Sequence, residues 1–114
     1  MRIATRVIDI TYGRSAAGVR ARLERACRDG WITLADAQTD TDGCIKEWNG
    51  SHVECGLYRV VFDSDRYFAG LGEGTAYPEV AVTFRTGSES GGCQLQLALS
   101  PYSYSTYVGM LPSP

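Results

Sequence analysis

Apolar and polar residues alternate with a period of two through most of the hydrophobic stretches, the spacing of half-buried strands. Val19-Arg20-Ala21-Arg22-Leu23 shows it first, with two arginines on the face opposite the apolar side chains. Trp31-Ile32-Thr33-Leu34-Ala35 follows across Asp29-Gly30, a pair that tolerates positive φ and so predicts a hairpin. Thr39-Asp40-Thr41-Asp42-Gly43 is the next turn. The β-branched and aromatic run from Leu57 to Phe62 predicts a further strand. Asp63 or Ser64 is then placed to cap a short helix over residues 65–71, which glycines at 70, 72 and 74 end. Pro78 opens a strand over 79–85, and a Gly/Ser loop over 86–92 leads to the most regular stretch, 93–100. A last strand, rich in tyrosine and hydroxyls, runs from Tyr102 to Val108. Strands spaced this evenly, with one short helix, predict an all-β, two-sheet antiparallel sandwich.

The stretch from Cys93 to Ser100 has two different faces. Leu95, Leu97 and Leu99 form an apolar one, and Gln94, Gln96 and Ala98 form the other. A sheet face open to solvent usually carries charge. Here it is small and neutral, as are Ser103, Ser105 and Thr106 nearby. Such a face suits an interface or the lining of a small-molecule channel as well as open solvent.

Composition narrows the possibilities. The 114 residues allow one domain, over 1–114, and 44% hydrophobic with 21% charged is an ordinary globular balance. A formal charge of −2 argues against nucleic acid as a partner, and the apolar runs are too short to span a bilayer. The arginines at 14, 20, 22, 25 and 28 are expected on a solvated face, balanced by the acids at 36, 40, 42 and 47. Residues 1–6 lack the apolar stretch of a secretion signal, and the four cysteines form no C-x-x-C pair. Reduced thiols in the cytoplasm are therefore expected. No spacing supports a zinc site from Cys27, Cys44, Cys55 and His52, and neither metal nor cofactor is expected. Residues 40–43 hint at a calcium loop, but Gln38 and Asn49 stand where its first and last acidic ligands belong. Gly70-Leu71-Gly72-Glu73-Gly74 follows a helix instead of a strand, so it is no dinucleotide loop. The single histidine, His52, excludes any mechanism that needs two in one subunit.

The segment Ser100-Pro101-Tyr102-Ser103-Tyr104-Ser105-Thr106-Tyr107 resembles the signature ending of the transthyretin and 5-hydroxyisourate hydrolase family. The likeness extends back through residues 77–84, 58–63, 39–43, 18–24 and Arg6-Val7-Ile8-Asp9, in order and with family-like spacing. It implies a transthyretin-like sandwich, a homotetramer made of two dimers, and a central channel lined by the neutral face. The hydrolases of this family mark their site with four features. These are a histidine in the first strand, an arginine after the Asp-Gly turn, a histidine in the penultimate strand and a terminal Tyr-Arg-Gly-Ser. Here those positions hold Arg6, Cys44, Gln94 and Tyr107-Val108-Gly109-Met110. Arginine stays protonated and glutamine does not titrate, so neither shuttles a proton near neutrality. His52 matches no family histidine. In transthyretin a lysine, a hydrophobic residue and a serine line the hormone channel where this chain has Arg6, Ile8 and Ser105.

Two functions follow from the resemblance and the altered residues. One is a hydrolase-line enzyme retuned to another small polar heterocycle, with orthodox 5-hydroxyisourate hydrolysis disfavoured by the replaced residues. Arg6 would stabilise an oxyanion, Gln94 would orient the substrate, and Cys44 would be an acid/base group or nucleophile. The other is a non-catalytic channel that binds an anionic aromatic or heterocyclic ligand through Arg6. The candidate lining is Ile8, Gln96, Ala98, Ser105, Tyr107, Val108 and Met110, and the tail 111–114 is placed to narrow the channel mouth. Cys44 also has a space-filling reading, and Arg6 one as an interface ion pair.

Overall fold

The computed structural model describes residues 2–48, 54–87 and 91–111, with the backbone alone at Leu111. His52 and residues 112–114 lie outside them, so the channel-mouth role expected of the tail does too.

The described residues form nine strands and one helix: β1 (Arg2–Asp9), β2 (Arg14–Ser15), β3 (Arg20–Cys27), β4 (Gly30–Gln38), β5 (Cys44–Ile45), β6 (Gly56–Phe62), α1 (Ser64–Ala69), β7 (Val80–Thr86), β8 (Gly92–Leu99) and β9 (Tyr104–Leu111). One sheet runs β2-β1-β8-β9, with β5 also pairing β1; the other runs β4-β3-β6-β7. Every pairing is antiparallel except β1 with β8. The apolar faces meet in one core that includes Val7, Leu23, Val60, Phe62, Phe68 and the leucines of β8, all fully buried. Burying a side chain of this size is worth roughly 1.5–3 kcal/mol. The expected all-β sandwich is the fold observed.

The expected helix is present, slightly earlier than its glycine signals suggest. Asp63 is the N-cap, its carboxylate accepting from the backbone of Arg66 at 3.1 Å, and Gly70 is the C-cap. Strand β1, by contrast, is not announced by its hydrophobic pattern. Its core-facing positions are Ile3, Thr5, Val7 and Asp9, and two of those four are polar. Asp9 is fully buried because its carboxylate ties off the following turn. It accepts from the backbones of Thr11 (3.0 Å) and Tyr12 (3.1 Å) and from the Tyr67 hydroxyl (2.6 Å).

Asp36 stands opposite Arg22 in the register and contributes to its charge balance, but the ion pairs of these arginines run to other acids. Residues 36, 40, 42 and 47 form none of the ion pairs among the described residues. Instead Glu24, almost buried on the outer face of the second sheet, accepts from Arg22 at 2.8 Å and from Arg59. Arg59 also stacks on Trp31 at 4.3 Å, and Arg25 pairs with Glu54 at 3.8 Å. Burial alone would raise the Glu24 carboxyl. The hydrogen bonds and charges of Arg22 and Arg59 outweigh it and hold the group below the ordinary glutamate value. A depressed folded-state value adds stability that is complete above the ordinary glutamate pKa, about 4.3, and is lost as pH falls through the depressed one. Glu24→Gln is therefore expected to be less stable than the parent near neutrality, with the gap closing below about pH 4. Denaturant melts from pH 7 to pH 3 measure this; a gap that stays constant over the range rejects it.

Candidate functional site

With residues 3, 5, 7 and 9 turned inward, β1 presents Ala4, Arg6 and Ile8 on the outer face of its sheet. By the same alternation β8 presents Gln94, Gln96 and Ala98. Strand register then sorts these residues into rows. Arg6 pairs with Cys44 of β5 on one side and with Gln96 of β8 on the other, and Gln96 pairs with Tyr107 of β9. Cys44, Arg6, Gln96 and Tyr107 thus form a line across four strands, about 14 Å long at the usual strand spacing. Ile8, Ala98 and Ser105 form the row on one side of it, and Ala4, Gln94 and Gly109 the row on the other.

Cys44 is held opposite Arg6 by the preceding turn. The Asp40 carboxylate accepts from the backbones of Asp42 and Cys44, both at 2.9 Å. Those bonds, that of Cys44 foremost, hold the Asp40 carboxyl below its ordinary value. Gly43 closes the turn at φ +76°, pressed so tightly on β1 that a Cβ there would stand 2.5 Å from the Val7 carbonyl oxygen. The Val7 amide donates to the Gly43 carbonyl at 2.8 Å. That bond flanks the Arg6–Cys44 pair, which identifies it as a non-hydrogen-bonded antiparallel pair. In such pairs the Cα atoms lie only about 4.5 Å apart and the side chains draw close. The Cys44 thiol is half-buried and donates weakly to the Asp42 carbonyl at 3.6 Å.

Arg6 is exposed and takes part in none of the ion pairs among the described residues. Its guanidinium fork is available to a carboxylate, an enolate or an oxyanion. The Tyr107 ring lies back along β9 over Gly109, its hydroxyl 2.6 Å from where a Cβ of Gly109 would stand. That posture carries the phenol into the row of Gln94.

Several expected members fall elsewhere. Gln96, not Gln94, is the register partner of Arg6, and Gln94 sits one row away. Val108 packs against the core, and Met110 pairs with the buried Cys93 on that same face, so neither joins the rows. Thr106 also faces that way, its hydroxyl donating to the Gln96 carbonyl at 2.9 Å, and Ser103 belongs to the β8–β9 turn. Asp40 and Gly43 are further builders of the site, and the turn over residues 39–43 is their signal in the sequence. Gly109, within the altered terminal signature, contributes by its missing side chain, which leaves room for the Tyr107 ring.

One recess of about 550 Å³ lies on the opposite sheet, lined by Arg20, Arg22, Asp36, Asp63 and Glu79 among others. It shares no residue with the Arg6 rows. Within one chain those rows lie on an open sheet face, which encloses a ligand only when another surface covers it.

The profile of the HIUase/Transthyretin family matches residues 3–109. The chain belongs to that family. A 5-hydroxyisourate hydrolase of Mus musculus is 35% identical over 111 residues, covering 94% of this chain and 93% of the mouse protein. That of Salmonella typhimurium is 35% identical over 108 residues, covering 94% and 79%. Among solved structures, the 5-hydroxyisourate hydrolase of Klebsiella pneumoniae superposes with a TM-score of 0.84 at 26% identity, covering 96% of this chain and 99% of that one. Sea bream transthyretin in complex with thyroxine superposes at 0.88 with 27% identity, covering 96% of both chains. The family thus contains both named enzymes and a structure holding a bound hormone. The HIUase/transthyretin fold is shared by both, so the choice between them rests on the residues of the outer face.

Proposed function

We infer that the protein is an enzyme of the 5-hydroxyisourate hydrolase type, retuned to a different small polar heterocycle. It acts at a channel between the two dimers of a homotetramer, in a specialised or biosynthetic pathway. Ring opening, cyclisation or rearrangement of the substrate suits the site. The observation that carries this reading is the row itself: a guanidinium in no ion pair among the described residues, flanked by a thiol and an amide on a neutral sheet face. Arg6 stabilises developing negative charge on oxygen, and such preorganised donors give the largest single contribution in many enzymes. Gln94 and Gln96 orient an amide or carbonyl. Ile8, Ala98 and Tyr107 form the walls, with Ser105 at the edge of the Ile8 row. Cys44 is the titratable group nearest Arg6 in the register.

Non-catalytic binding of an anionic ring is the second reading, favoured by the close superposition on a transthyretin that holds thyroxine. A panel of cyclic ureides, lactams and anionic heterocycles, incubated with the protein and followed by mass spectrometry and thermal shift, separates the two. The enzyme reading expects a product that forms in proportion to protein. Saturable stabilisation without chemical change would establish the binding reading instead. Turnover of 5-hydroxyisourate as fast as the mouse enzyme achieves would remove the retuned substrate.

A further inference from the structure

We propose that Cys44 and Arg6 form a nucleophile–anchor pair. The pair covalently captures a ligand that carries an anionic group close to an electrophilic carbon. This deepens the enzyme reading and rests on it: the substrate class becomes an anionic heterocycle with a reactive carbonyl beside its charge.

Three observations converge on the pair. First, the bond from the Val7 amide to the Gly43 carbonyl makes Arg6 and Cys44 the close kind of cross-strand pair, with both side chains on the neutral outer face. Second, the turn that carries Cys44 is locked by two bonds to the Asp40 carboxylate and by the contact of Gly43 on β1. The backbone of Cys44 is therefore held directly opposite that of Arg6. Third, among the described residues neither reactive end is committed: Arg6 is in no ion pair, and the thiol makes a weak bond to the Asp42 carbonyl. A guanidinium on the neighbouring strand attracts anions to the surface beside the sulfur.

The step balances with the groups present. The sulfur forms a bond to the carbonyl carbon, the π pair moves to oxygen beside Arg6, and the thiol proton leaves to water. In a lactam the C–N bond then breaks as the π pair reforms, and the ring nitrogen takes up a proton from water. A second water cleaves the acyl–sulfur bond and restores the thiol, with no oxidant or reductant consumed.

Iodoacetate and iodoacetamide test the pair without knowledge of the substrate, since both alkylate thiols and only the first is an anion. The intact protein carries its own references: Cys27 and Cys55 are exposed, while Cys93 is buried and its thiol is pushed up to about 11 by that burial. Peptide mass spectrometry at neutral pH is expected to show an iodoacetate-to-iodoacetamide rate ratio at Cys44 about fivefold above that in Arg6→Gln, the size of one charge contact near water. Arg6→Lys should retain the preference, and the ratios at Cys27 and Cys55 should not move in either variant. A Cys44 ratio unchanged in Arg6→Gln, or a Cys44 that neither reagent reaches, overturns the pair. Conversion of a heterocycle that survives Cys44→Ser also overturns it while leaving the enzyme reading intact. A charge preference without conversion of any compound supports the pair and counts against the enzyme reading.

Discussion

Gly43→Ala is expected to lower the unfolding free energy by about 3 kcal/mol, a fall of roughly 15 °C in Tm for a domain of this size. Two costs combine at this position. Gly43 sits at φ +76°, where an L side chain costs roughly 1–2 kcal/mol. A Cβ would also meet the Val7 carbonyl oxygen at 2.5 Å, and that atom cannot swing away as a flexible side chain would. The same carbonyl accepts from the Ala16 amide at 2.9 Å, so relief of the clash strains a second contact of β1. Gly72 supplies the comparison. Its φ is +74°, yet nothing lies within 4 Å of its would-be Cβ, so Gly72→Ala should cost only the strain, about 1 kcal/mol. Thermal melts of the two variants read the difference directly. Equal losses would mean that the turn before Cys44 yields, and the fixed spacing of Cys44 from Arg6 would go with it.

Arg6→Ala carries the largest functional expectation. Removing a preorganised donor from a developing oxyanion typically lowers kcat by about 10²–10³. The fold should be unaffected to within about 0.5 kcal/mol, because Arg6 is exposed and holds no ion pair among the described residues. Arg6→Lys should recover part of the loss, since lysine restores the charge but not the planar fork. Under the binding reading the same substitution raises Kd instead. Steady-state kinetics or titration, run beside a thermal melt and a measurement of assembly size, decides among the roles. Activity and affinity that both persist in Arg6→Ala would remove Arg6 from the site. Loss of assembly alone would make it an interface residue.

The strands with strict alternation, β7 and β8 above all, were readable from their residues because the buried face of β8 is wholly apolar and that of β7 is apolar up to its last residue, Thr86. Strand β1 was not. Its inward positions include Thr5 and the buried Asp9, and that carboxylate is satisfied by two backbone amides of the turn just after it and by the Tyr67 hydroxyl, which arrives from a helix far along the chain. The outward parity of Ser105 and Tyr107 was legible, and the same parity already turns Val108 and Met110 inward, as the register with Leu95 and Cys93 shows.

By itself, then, the sequence determined the period-two pattern, the hairpin and capping signals and the two-sheet class, along with the stock of groups on the neutral face. All of these depend on residues close together in the chain. Which groups stand side by side was decided only in three dimensions. Arg6 meets Cys44 across an antiparallel pair and Gln96 across a parallel one, and that register depends on the docking of strands far apart in sequence. Periodicity assigns a face to each side chain; the pairing of distant strands assigns its neighbours, and the chemistry of this face depends on neighbours.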